Sequence, residues 1–399
     1  MPYSRRNKRI SYILTATLGI ELSSALLVPF FDENGLNQTQ IMLLQAIFSL
    51  AVVVAEIPTG YFADRFSHRS SMRLGAFMAV VSQMGYAFMH GFWQFAIVEI
   101  GLACGFSLLS GAQDALVYES ILADHDADER ADKYRHFSAN TDSVKFGFTA
   151  VAGALGGIVA GRIGIRPVLF MDGVLALGGF VTTIWLREPP VSRPEPEDGV
   201  RKHPLRAMAD VIHYCARGHE QLPLLIVLAA SLGAVTYIAY WLSATYYMAV
   251  GIPLAWFGVI MGVRSTVKAI LPQAQKCYGK RWSDRTQLIA FSAVSVATYL
   301  LLAYFQQPWA IAFMLCFDAI QALSSPILSE RLQRLAPSDI RAQVTSVASM
   351  GRRLMFAVLG VLFGFGVDRS IGFGMTLCAV VFAVLCFGSL WRLIRKGGL

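Results

Sequence analysis

Charged side chains set inside long apolar runs are the residues of this sequence that ask for a chemical explanation. Glu21, Glu99, Asp114 and Glu119 fall in such runs in the first half of the 399-residue chain, and Arg264, Lys268 and Asp318 fall in runs of the second. Within hydrocarbon each charge costs about 2.5–3.5 kcal/mol on insertion scales, so each needs a partner or a task. Arg264 and Lys268 are four positions apart, hence about 40° apart round a helix, and share a face. Two cations on one face suit an anionic group, such as a carboxylate, on a solute; alternatively Asp318 neutralises Arg264 permanently. Glu21 and Asp318 are lone acids that can take up and release a proton, with Asp114 and Glu99 next in line. Glu21 read otherwise is a structural residue bonded to Ser23 or to a facing helix. Tyr237, Tyr240 and Trp241 offer aromatic surface on which a solute can stack, whereas Tyr246 and Tyr247 lie toward the end of their run, where an interfacial belt is expected.

The elements that must carry these residues are spans of a membrane. Charged residues make up 15% of the chain and hydrophobic ones 55%, with a mean hydropathy of +0.52. A soluble domain carries about 25% charge. Runs long enough to span occur at 10–31, 38–62, 71–90, 93–120, 138–162 and 165–187, and again at 222–250, 253–275, 284–305, 307–332, 341–367 and 371–394, twelve in all. The first follows Arg5, Arg6, Lys8 and Arg9 like a signal peptide, but it is too long and has no small-residue cleavage site. With both termini cytoplasmic, the inside segments hold 26 of the 34 Lys and Arg residues, and the outside loops hold only Arg162, Arg166 and Arg369. The net charge of +8 therefore reports orientation in a cytoplasmic membrane, with lipid rather than nucleic acid as partner. The expected division is 1–187, a linker over 188–221, and 222–399. The linker is stiffened by Pro189, Pro190, Pro194, Pro196 and Pro204. It ends in an amphipathic stretch (Leu205, Met208, Val211, Ile212, Cys215) that suits either the membrane surface or packing on the protein. The six cysteines suggest neither a disulfide nor a metal site, and there is no phosphate loop or nucleophile motif; no cofactor and no enzymatic activity are expected.

Between the second and third runs lies Gly60-Tyr61-Phe62-Ala63-Asp64-Arg65-Phe66-Ser67-His68-Arg69, a polar knot preceded by Glu56-Ile57-Pro58-Thr59. Its spacing, G-x-x-x-D-R-x-x-x-R, resembles the loop between helices 2 and 3 of the major facilitator superfamily. Ser67 stands where that family usually has Gly, and His68 where it usually has Arg. The two halves also repeat weakly at a separation of about 207 residues: Asp132 maps to Asp339, Lys145 to Arg352 and Arg162 to Arg369.

The resemblance implies an all-α membrane protein with twelve transmembrane helices in two six-helix bundles, a monomer whose substrate site lies where the halves meet. It implies a gate built from Gly60, Asp64, Arg65 and Arg69 together with Asp114, Glu119, Asp142, Lys145, Glu330, Arg352 and Arg353. Their pairs either latch the inner mouth across the halves or merely neutralise charge within one half. Ala152-Gly153-Ala154-Leu155-Gly156-Gly157 is similar to the family's antiporter signature, without its first Gly and its Pro. The expected function is proton-coupled export of a small organic solute by alternating access. The alternatives are a proton-coupled uptake symporter for an organic anion and, from another class, a membrane receptor or scaffold.

Overall fold

The structure, a computed structural model, describes residues 3–124, 127–190, 204–278, 282–337 and 340–397; Asp339, most of the linker, and the side chains of Asp64, Asp132 and Asp142 lie outside the described residues. Every regular element among the described residues is a helix. The first half of the sequence forms α1 (Tyr3–Gly19), α2 (Leu27–Glu33), α3 (Gln38–Arg65), α4 (His68–Phe88), α5 (Phe92–Asp124), α6 (Ala127–Ile163) and α7 (Ile165–Thr182), which tightens into a 3-10 turn at Thr183–Trp185. The second half forms α8 (Pro204–Arg217), α9 (Leu222–Ala249), α10 (Leu254–Tyr278), α11 (Asp284–Tyr304), α12 (Met314–Leu335), α13 (Arg341–Arg369) and α14 (Ile371–Arg395). A 3-10 segment, Pro308–Phe313, leads into α12.

Nine helices among the described residues are long and apolar enough to cross a membrane, against the twelve spans expected. Each shortfall has a local reason. The run 10–31 is cut into α1 and α2. In α4, Arg73 and Gln83 dilute an otherwise apolar helix. In α6 the apolar part is only Gly147–Ile163, because the helix begins well before the expected 138 and its first turns are charged. The polar knot is also less of a loop than its composition suggests: α3 continues through Arg65 and α4 begins at His68. Ser67 then caps α4, its hydroxyl accepting the Ser70 N–H at 3.0 Å, the ordinary N-cap role of serine.

Contacts divide the chain into two compact units, which do not follow the halves of the sequence. One unit comprises Met1–Leu27, Ala51–Pro204 and Leu254–Gly262; the other comprises Val28–Leu50, Leu205–Pro253 and Val263–Leu399. In the first, Ile10, Leu14, Met72, Ala76, Leu109 and Leu116 form an apolar core. Fully buried Asn7 ties the start of α1 to α5 and to the end of the α7 segment, donating to Ser120 Oγ at 2.8 Å and to the Arg187 carbonyl at 2.7 Å. Glycines let backbones touch, as expected of small residues at membrane helix crossings. A Cβ at Gly75 would lie 2.8 Å from the Gly105 carbonyl of α5, Gly156 of α6 lies directly against Leu22, and Gly153 of α6 against Gly258 of α10. In the second unit α9 is the central helix, and Tyr299 of α11 donates to the Val235 carbonyl at 2.8 Å. Tyr299 also packs on Phe317 and Phe382, with centroids 4.6 and 5.9 Å away.

Candidate functional site

In the second unit, α9, α10 and α12 bring three expected site residues, Arg264, Lys268 and Asp318, together with Tyr247. Arg264 and Asp318 are each 2% exposed. Arg264 donates from Nε to Asp318 Oδ2 at 2.7 Å, from Nη2 to Oδ1 at 3.3 Å, and from Nη1 to the Tyr247 hydroxyl at 3.1 Å. Lys268, one turn along α10, places Nζ 3.5 Å from Asp318 Oδ1. The forked guanidinium matches a carboxylate in two places, which makes this a strong, oriented pair. Of the two readings of Arg264, this geometry is the neutralised one. Two cations face one carboxylate, and Lys268 is the less tightly held. Tyr246 and Tyr247 are not interfacial: they are 0% and 3% exposed. The Tyr246 hydroxyl is spent on the Phe305 carbonyl and that of Tyr247 on Arg264, because the end of α9 is covered by its neighbours. Trp241 is likewise buried, whereas Tyr237 and Tyr240 are partly open; Tyr237 packs edge-on against Phe356 with centroids 4.5 Å apart.

In the first unit the residues gather around the break at 20–26. Glu21 does not lie within a helix, as its place in the apolar run suggests, but in the irregular segment between α1 and α2. The exposed backbone groups there find partners on other helices. Leu22 N–H and Ser23 N–H donate to the two oxygens of Asp172, on α7, at 2.8 and 2.9 Å. The Gly19 carbonyl accepts from Thr149 Oγ1, on α6, at 3.0 Å. Non-helical backbone at membrane depth survives only where protein groups satisfy it in this way. Lys145 of α6 crosses Gly19 closely, its Cα 3.6 Å from where a Gly19 Cβ would stand, and it interacts electrostatically with Glu21. Glu99, 2% exposed, lies beside Tyr86, and Asp114 hydrogen-bonds to Tyr134.

Several residues expected to form a gate have defined partners among the described residues. His68 Nε2 lies 3.2 Å from Glu119 Oε1, and Arg65 donates to the Tyr61 hydroxyl at 2.9 Å. The backbone N–H groups of His68 and Arg69 both donate to Glu188, at 3.0 Å each. Gly60 has open space where a Cβ would point. Glu330 pairs with Arg334 on the same helix. Arg352 is exposed and lies over Gly233 of α9; among the described residues its hydrogen bond is a 3.5 Å contact with Ser349 Oγ. Arg353 is its partly buried neighbour.

Three acids that the sequence reading passed over do related work. Asp172 and Glu188 each receive two consecutive backbone N–H groups, and so does Asp368, from Gln38 at 2.8 Å and Thr39 at 2.9 Å. For Glu188 and Asp368 these groups open α4 and α3, where a carboxylate satisfies orphan donors and favours the positive end of the helix dipole; for Asp172 they lie in the break between α1 and α2. Asp172 carried a readable signal, an aspartate in the middle of an apolar run. Glu188 and Asp368 carried none, since they stand at run ends where acids are commonplace. Tyr247 was seen, but as a belt residue.

An all-helical protein with many apolar spans, broken helices and buried ion pairs is a multi-pass membrane protein of the transporter type. The chain belongs to the major facilitator superfamily: the family model of that description matches residues 10–360. This makes it a transporter rather than an enzyme. Among curated proteins of Escherichia coli (strain K12) it is similar to a probable L-galactonate transporter, 38% identical over 74 residues covering 18% of this chain and 16% of that one. It is also similar to the inner membrane transport protein YajR, 25% identical over 154 residues covering 38% and 32%. The matches thus span a minor part of each relative. The fold is shared with the nucleoside transporter NupG, with a TM-score of 0.75 at 13% identity over 98% of this chain and 99% of that one. It is shared too with a D-xylose–proton symporter, with a TM-score of 0.69 at 14% identity over 95% and 97%.

Proposed function

We propose that this chain is a proton-coupled secondary transporter that exports a small organic solute by alternating access. In this reading it is a monomer in the cytoplasmic membrane with both termini inside. Its sequence halves, 1–187 and 222–399, each supply six spans, and residues 188–221 link them. The observation that carries the proton-coupled reading is the position of Glu21. It sits at a break in the first span, next to backbone held by Asp172 and Thr149 and within electrostatic reach of Lys145. Protonation there removes the attraction to Lys145 at the point where the span is least constrained by helix hydrogen bonds. A change of charge is thereby coupled to a movement of α1 against α6. Asp318 is the weaker candidate, because Arg264, Lys268 and Tyr247 already surround it. Asp64, Arg65 and Arg69, with Glu119 and Glu330, act in this scheme as inner-side charges whose partners change as the halves rock. Export rests on the glycine signature of α6, whose Gly153, Gly156 and Gly157 let it lie directly on Leu22 and on α10.

A second reading, proton-coupled uptake of an organic anion, is favoured by one observation: Arg264 and Lys268 face a single carboxylate. One partial relative is a probable L-galactonate transporter, which agrees with an anionic solute. The test is proton movement in proteoliposomes containing a trapped pH dye, with galactonate, xylose and nucleosides supplied in turn and the pH gradient imposed in each direction. The expected result is solute-dependent proton movement that Glu21→Gln abolishes while counterflow exchange persists. Unchanged proton movement in Glu21→Gln would remove Glu21 from the coupling step, and the direction that accumulates solute separates export from uptake.

A further inference from the structure

α9 is buried along most of its circumference, but Ile226, Gly233, Tyr237 and Tyr240 are partly open and recur at helical spacing, so they form one face. Arg352 of α13 lies across that face. A Cβ at Gly233 would stand 2.5 Å from Arg352 Cδ and 3.1 Å from its Cγ, so the glycine is the notch in which the side chain rests. Tyr237, one turn further along α9, interacts electrostatically with the guanidinium. Gly233 is the twelfth of 28 residues in α9 and Arg352 the twelfth of 29 in α13. Both therefore lie about 17 Å along helices of roughly 42–44 Å, well inside the span.

A guanidinium at that depth needs a counter-charge. Arg264 has one in Asp318, and Lys145, the residue that corresponds to Arg352 in the other half, has Glu21 within electrostatic reach. Among the described residues Arg352 has no carboxylate partner, only the 3.5 Å contact with Ser349, and its immediate neighbour Arg353 has the same sign. Most of the exposed apolar residues of its own helix lie on other sides: Leu354 is about 160° away round α13, Phe365 about 140° and Val358 about 120°, with Leu362 about 80° away. Five donors in a planar fork, open on one side and bordered by tyrosine, match an oxyanion and the carbon body attached to it.

We propose that Arg352, seated on Gly233 beside Tyr237, is an oxyanion-binding site that receives the carboxylate of the transported solute. The solute's body lies along Tyr237 and Tyr240. This deepens the transporter reading, on which the solute assignment rests. It moves the substrate-binding cation from Arg264, whose donors are engaged, to Arg352, whose donors are open.

The test uses the full chain without its six cysteines, with Tyr237→Cys as reporter. Its rates of reaction with the anionic 2-sulfonatoethyl and the cationic 2-(trimethylammonio)ethyl methanethiosulfonates are compared. The anionic reagent is expected to be favoured, and Arg352→Gln to lower the anionic-to-cationic ratio by about tenfold. Gly233→Leu, which displaces the side chain and leaves every charge in place, is expected to lower it as well, and Arg352→Lys to retain part of it. Each variant is first checked for an unchanged size-exclusion profile, and Gly233→Leu carries the test if Arg352→Gln fails to fold. A ratio unaltered by both substitutions, or a reporter thiol inert to both reagents, overturns the site. The expected ratios in a protein that moves no solute in proteoliposomes would keep the anion site and remove the transport reading.

Discussion

Arg264 and Asp318 sit where neither charge is tolerable alone. Both are 2% exposed, and their two hydrogen bonds together with that of Tyr247 replace the water each has lost. Removing one member of such a pair strands the other, a loss of about 3–5 kcal/mol, whereas replacing both with apolar groups of similar size is often neutral. Lys268 remains near Asp318 and softens the loss of Arg264, so the two single variants are not equivalent. Equilibrium unfolding in mild detergent is expected to rank Asp318→Asn as the most destabilised, then Arg264→Gln, with Arg264→Met/Asp318→Leu milder than either. A double variant worse than both singles would mean that the pair contributes net stability rather than tolerance of its own charges.

At the scale of elements, the helices here are placed by backbone contacts more than by large side chains. α6 lies on Leu22 through Gly156 and on α10 through Gly153, and α4 lies on α5 through Gly75 and Gly105. A methyl group at Gly258 would meet the Gly153 carbonyl and lie 3.0 Å from Ala154 Cα, both backbone atoms that cannot rotate aside. Gly258→Ala is therefore expected to lower the melting temperature, by an overpacking cost of about 1–3 kcal/mol. Gly111→Ala, in α5 with nothing within 4 Å of the added carbon, provides the contrast. It removes a flexible residue from a helix interior and is expected to be neutral, or stabilising by about 0.5–1 kcal/mol. Equal melting temperatures for the two variants would show that the α6–α10 crossing has slack that the geometry denies. The break at 20–26 belongs to the same scale, since α1 and α2 are held apart and held in place by Asp172 and Thr149 from two other helices.

At the scale of the whole molecule, the distribution of basic residues governs how the chain sits in its membrane. With 26 of 34 Lys and Arg in segments assigned to one side, the orientation we propose has both termini in the cytoplasm. Alkaline phosphatase fused after His90 is expected to be active and fused after Glu220 inactive, read as enzyme activity in intact cells. The reverse pattern would invert the topology and with it the inner-side role given to Asp64, Arg65 and Arg69. The division into contact units adds a feature that a reading by sequence halves lacks. α3 passes from one unit to the other between Leu50 and Ala51, and α10 does so between Gly262 and Val263. The start of α3 is thereby fastened to the second unit, where Asp368 takes the N–H groups of Gln38 and Thr39 and Thr245 donates to Gln38 Oε1 at 2.6 Å.

Hydropathy and charge are local and additive along a chain, so the sequence alone was enough for the membrane class, most of the spans, the family and the unusual placement of Arg264, Lys268, Asp318 and Glu21. The G-x-x-x-D-R motif was legible for the same reason, being a contiguous stretch. What stayed hidden depends on how helices are rotated about their axes and which of them meet. Glu21 reads as mid-helix until Asp172, some 150 residues on, is seen to hold the backbone beside it. Arg264 reads equally as a free or a neutralised cation until α12 is turned to bring Asp318 within 2.7 Å. Arg352 reads as one more charge near the membrane surface until Gly233, on another helix, gives it a seat. A single residue type fixes neither rotation nor partner, because both follow from the packing of all the helices together. For that reason only the tertiary structure showed that Arg264 and Asp318, among the described residues, are already paired.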